Sequence, residues 1–212
     1  MAFDAQLPNF LLAVFVIEIT PGPNMGYLAT LSLTRGRAAG LAATAGVAMG
    51  LSVHAIAAAF GVGALIASSA IVYEILRWAG VVFLLWLAYE GWTESTENSP
   101  ARTASVEDHR GLFWRGFVTN VLNPKSVLFF VAVMPRFLEP ERGSLFVQLA
   151  VLGLIYVLVA TAVHASVVLV AAHAGAYIAG DRSRMIRRVL SLLLVVIAGW
   201  LAWETRRPEV LF

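Results

Sequence analysis

The sequence predicts an all-α integral membrane protein of six transmembrane helices, built as two inverted three-helix repeats in which helices 1 and 4 are broken. Three observations carry that expectation. Of the 212 residues, 59% are hydrophobic and only 13% charged, far more apolar than a soluble domain of this length requires. Uncharged runs recur along the whole chain, and one polar stretch near the middle divides them evenly. Two of the runs are interrupted at their centres by proline.

A helix needs about 20 residues to cross roughly 30 Å of hydrocarbon. Six runs reach that length: residues 7–31, 41–66, 71–92, 113–136, 145–177 and 186–204. The first is too long for a signal-peptide core and lacks a basic leader, so it reads as a retained span. The third carries Glu74, Arg77 and Glu90, but Trp78, Trp86, Tyr89 and Trp92 suit interfacial belts. No Asp, Glu, Lys or Arg occurs from Ala38 to Tyr73 or from Gly143 to Gly180. Each of these stretches exceeds one straight span and reads as a tilted helix with an extra interfacial turn.

The polar connection, residues 93–111, contains ENSPARTASVEDHR and has no hydrophobic period, so it is expected as a cytoplasmic loop. It separates a first repeat, 1–92, from a second, 112–212, within one transport unit. Each half repeats one order: a broken helix, a long neutral helix with a central histidine, His54 or His164, and a shorter helix. An odd number of spans per half turns the second half upside down relative to the first. Nine arginines fall on one side of this arrangement and five on the other, which puts both termini in the periplasm.

Several functions are excluded at this level. The net charge of +2 is scattered through short connections and forms no basic face for nucleic acid. Without cysteine there are no disulfides, thiolate metal sites or iron–sulfur clusters. No nucleophile stands beside a base, and no acidic cluster suits a metal, so neither an enzyme nor a cofactor is expected.

The first break is Glu18-Ile19-Thr20-Pro21-Gly22-Pro23-Asn24. Two prolines remove two backbone donors and clash with the preceding turn, leaving polar backbone groups that must face protein or a wet cavity. The plainer alternative is a proline kink relieved by a neighbouring Thr or Asn. The second break is Asn120-Val121-Leu122-Asn123-Pro124-Lys125, which holds the only lysine of the chain. A charge so far from either interface disfavours the membrane by about 2.5 kcal/mol or more unless it faces the interior, in a functional role or in a buried pair. Gly46, Gly50 and His54 recur every fourth residue on one face, as a close helix contact requires. His54 and His164 each read equally well as a satisfied core residue or a proton relay.

Four segments together resemble the lysine exporter (LysE) family, and within it the homoserine/threonine-resistance (RhtB) branch. They are TPGPN at Thr20 to Asn24, SLTRGRAAGLAATAGVAMG from Ser32 to Gly50 followed by His54, AGVVFLLWLAYEGW from Ala79 to Trp92, and RGFVTNVLNPKSVLFF from Arg115 to Phe130. The resemblance implies an exporter of amino acids or close derivatives in the bacterial inner membrane, driven by the proton-motive force. Members of the family often carry an acid shortly before the fifth-span histidine; here Val159 to Val163 has none. That favours neutral substrates of homoserine, threonine or leucine type. Exporters of basic amino acids, or of a divalent cation held by His54, His164 and Glu18, are the rivals.

On this reading Glu18 and the carbonyls before Pro21 hold the substrate ammonium, while Lys125 and the helix start after Pro23 hold its carboxylate. Thr20, Gly22 and Pro124 shape the two breaks. Asn24, Asn120 and Asn123 complete the hydrogen bonds, and Tyr27 and Phe129 frame the side-chain pocket. Glu18, Lys125, His54 and His164 are the candidates for carrying the coupled proton. The glycine-rich faces would also permit a homodimer.

Overall fold

The computed structural model describes residues 6–20, 22–61, 70–93, 106–176 and 182–204, nearly all of them helical. Pro21 and both chain ends lie outside the described residues. The first helix, α1 (Leu7–Ile19), starts with a proline in its first turn and stops at Thr20, whose ψ of 123° is the extended setting that a following proline demands. Gly22 is also extended, and Pro23 opens α2 (Pro23–Ala59) from its first helical position. The same device recurs later in the chain. Helix α4 (Val106–Val121) ends, Asn123 is extended before a proline, and α5 (Pro124–Leu128) begins. Both interruptions thus follow from proline at the first position of the next helix.

Helix α2 is not straight. Gly36 has φ 81° and ψ −179°, a left-handed setting open to glycine. Beyond it Gly40 lies against the hydroxyl of Ser32, although residues eight apart in a straight helix are separated by about 12 Å along the axis. The chain therefore doubles back as a helical hairpin with arms 23–35 and 37–59. The boundary between the first two expected spans is this one residue.

The remaining elements are α3 (Ala70–Thr93), α6 (Leu145–Ala176) and α7 (Arg182–Glu204). Residues 106–111, expected in the loop, form the first turns of α4 instead, continuous with the buried turns that follow them. After α5 the chain widens into a π turn (Phe129–Val133) and tightens into a 3-10 turn (Met134–Phe137). Pro135 explains this, because it cannot bond back four residues and its ring crowds the carbonyl there.

The packing is mainly between halves. The α2 hairpin lies against α6 and α4, α3 against α7, and α1 against α6. Gly153 meets Ala55 and Val168 meets Gly40, so α6 runs antiparallel to the 37–59 arm. A methyl group on Gly46 would strike the Phe113 carbonyl, and one on Gly116 would strike that of Ala43, so the two backbones touch. Phe10, Leu28, Leu51, Leu152 and Tyr156 fill the interior, while Leu12, Ile56, Leu158 and Val196 point outward. That distribution suits a lipid surround.

Among the described residues, Leu145–Gly175 is long and apolar enough to cross a membrane, Pro23–Ala59 meets the same measure over its whole length although Gly36 folds it into two arms, and His109–Val121 with Pro124–Phe137, bent by 49°, makes a third candidate. Helix α1, at 13 residues, extends only about 20 Å and needs its continuation past the break to span.

Candidate functional site

The two breaks meet. Between the end of α1, the start of α2, the α4–α5 junction and α6 lies a small, partly open cavity. Glu18, Gly22, Asn24, Met25, Asn123, Lys125, Ser126 and His164 line it. Residues 105 positions apart are brought together because each proline forces a short extended stretch where the chain can approach its counterpart.

Glu18 is buried near the end of α1, with two partners on α6. Tyr156 donates its hydroxyl to one carboxylate oxygen at 2.5 Å, and His164 Nε2 lies 3.2 Å from the other. Tyr156 and His164 are eight residues apart and so share one face of α6. The far ring nitrogen, His164 Nδ1, is buried with no hydrogen-bond partner among the described residues.

Lys125 reaches across the breaks and donates from Nζ to the Thr20 carbonyl at 2.8 Å. That carbonyl sits at the negative end of α1, one of the groups the break leaves without an intrahelical donor. Asn123 caps α5, its side-chain oxygen accepting from the Lys125 backbone N–H at 3.0 Å. Asn24, 6% exposed, has an Oδ1 with no partner among the described residues. Among the described residues no side chain caps the N-terminus of α2, so the first-turn N–H groups of Asn24 and Met25 have no side-chain acceptor there.

Of the residues singled out from the sequence, Glu18, Gly22, Asn24, Asn123, Lys125 and His164 line the cavity. Thr20 contributes its carbonyl, while its hydroxyl turns back to the Val16 carbonyl. Pro23 and Pro124 are buried as helix starters behind the lining. Asn120 lies outside the lining, its amide donating to Ser126 and its carbonyl 3.2 Å from His54 Nε2. His54 is held there, against Phe130, away from Glu18. Tyr27 is buried outside the lining too, and Phe129 stacks on Tyr156 instead. Among the described residues no three His, Cys, Asp or Glu side chains gather to hold a metal.

Met25, Ser126 and Tyr156 were not singled out. Tyr156 did leave a signal: a phenol in a neutral membrane helix needs a partner, and Glu18 is the acid deepest in an apolar run.

Residues 15–205 match the family described as LysE type translocator. The chain belongs to this family. Similar proteins include the homoserine/homoserine lactone efflux protein of Salmonella typhimurium, 28% identical over 91% of this chain and 94% of that one. An uncharacterized membrane protein of Vibrio cholerae is 30% identical, covering 80% of this chain and 82% of its own. The leucine efflux protein of an Enterobacter species is 29% identical over 67% of this chain and 69% of that one. No solved structure matches. The translocator is a membrane protein, and its apolar helices fit that setting.

Proposed function

We propose that this chain exports neutral amino acids or their small derivatives from the bacterial cytoplasm in exchange for protons, through six spans arranged as two inverted three-helix repeats. The observation that carries the reading is one cavity, at the junction of two broken helices, that holds both a carboxylate and an ammonium. A zwitterion complements it: its ammonium turns to Glu18 and Asn24 Oδ1, its carboxylate to Lys125 and the first-turn N–H groups of Asn24 and Met25. Relatives named for efflux of homoserine and of leucine support the substrate class. The antiparallel run of α6 along the 37–59 arm supports the alternation of spans that the repeat requires.

Exchange follows from competition for Glu18. Substrate arriving from the cytoplasm meets an ionised carboxylate; once it leaves to the periplasm, a proton from periplasmic water takes its place. The site then returns inward and gives that proton to the cytoplasm. Lys125 supplies a second exchange, since the substrate carboxylate must displace the Thr20 carbonyl to reach it.

The experiment is counterflow in proteoliposomes with homoserine, threonine, leucine, lysine and arginine. The neutral compounds should exchange at least about tenfold faster than the dibasic ones, because a second cation in the cavity would face Lys125. Faster counterflow of lysine or arginine would overturn the reading.

A further inference from the structure

Helix α5 and the π turn after it carry Lys125 at one end and two aromatic rings a turn further on. Phe129 stacks on Tyr156 with centroids 4.2 Å apart, and Phe130 meets the same ring edge-on at 5.0 Å. Successive residues of an α-helix point about 100° apart. The π turn starting at Phe129 accompanies a clasp in which both neighbours grip one ring. Tyr156 is fully buried, and its hydroxyl leads straight to Glu18.

We propose that Tyr156 is a positioning residue that ties the protonation of Glu18 to the place of the 124–137 segment: Phe129 and Phe130 hold its ring, and its hydroxyl holds the carboxylate. The inference rests on the exchange reading above. When the substrate carboxylate draws Lys125 from the Thr20 carbonyl, the segment shifts, and the rings it carries tilt Tyr156. Glu18 then loses a donor that the substrate ammonium replaces; once the substrate has left, the buried carboxylate is short of donors and takes a proton from the periplasmic water facing the cavity. The reverse shift restores the bond and returns the proton to water on the other side. Stacked rings transmit such a displacement because close-packed interiors do not yield continuously. The other titratable groups around the site are His164 on α6 and Lys125 on α5; His54 on α2 faces Phe130 and the Asn120 carbonyl.

The test compares Tyr156→Phe, which keeps the ring and deletes the hydroxyl, with Phe129→Leu, which keeps the hydroxyl and deletes the stack. The first readout needs no substrate: infrared titration of the Glu18 carboxyl band in the purified protein, assigned by its loss in Glu18→Gln. Both variants should move its midpoint by about half a pH unit or more, although Phe129 makes no polar contact with Glu18. The second readout uses homoserine in proteoliposomes: counterflow should stay within about threefold of wild type while gradient-driven accumulation falls about tenfold or more. An unmoved band in Phe129→Leu, or equal losses of counterflow and accumulation in both variants, overturns the proposal. Wild-type protein that carries no homoserine overturns the exchange reading instead, and the band shift still decides whether Phe129 acts on Glu18.

Discussion

Lys125 shows how one side chain can be assigned from its isolation and still surprise. A lone lysine beside a proline in an apolar run must face the interior, and it does, lining the cavity. Its partner was not readable, because a backbone carbonyl leaves no mark in a sequence: the ammonium sits on Thr20 and closes one break against the other. Glu18 was readable for the same reason as Lys125. Its link to Tyr156, 138 residues away, was hidden because an uncharged phenol in an apolar helix looks like packing. The two asparagines of the second break divided for a local reason: Asn123 precedes a helix start and caps it, while Asn120, still inside α4, turns toward Ser126. Replacing Lys125 by Met keeps the apolar stem and removes the charge, so gradient-driven homoserine uptake into inverted vesicles should fall between about tenfold and a hundredfold, the range for a lost charged hydrogen bond. Lys125→Arg should recover binding but little pumping, since a bulkier guanidinium fits the Thr20 carbonyl poorly. Full export by Lys125→Met would remove the residue from the mechanism.

Among the helices, the breaks were readable because proline acts through covalent geometry, which no packing can override. The turn at Gly36 was not, since a single left-handed residue between Arg35 and Arg37 looks the same on paper as the start of a loop. The start of α4 at Val106 was missed for a related reason: the run from Val106 to Arg110 has no apolar period, and its helicity comes from being continuous with the buried turns after it. The glycines of α2 were correctly read as a contact face, and the contact is backbone against backbone. Gly46→Ala should therefore lower the thermal stability of the purified protein by about 1–3 kcal/mol, because the obstacle is the Phe113 carbonyl and no rotamer change can clear it. Gly199, with nothing within 4 Å of its added methyl, is the matched control and should tolerate alanine with little change. Equal melting of the two variants would contradict the close approach.

The molecule as a whole takes its orientation from charges outside the interior. With nine arginines against five, both ends of the chain should be periplasmic, so a reporter that fluoresces only in the cytoplasm, fused after Phe212, should stay dark and one inserted at Ser99 should shine. A bright C-terminal fusion would invert the whole arrangement and with it the direction of transport. The packing between halves has a further consequence, for the making of the protein. Synthesis is vectorial, and α2 cannot meet α4 or α6 until another hundred or so residues have been added, on the order of ten seconds at ordinary elongation rates. For that interval the nascent chain holds an uncovered glycine face and a Glu18 without Tyr156 or His164 in the bilayer. A membrane-bound chaperone or quality-control protease would meet the half-made protein through those two features, and the arrival of α4 would conceal the first and that of α6 the second.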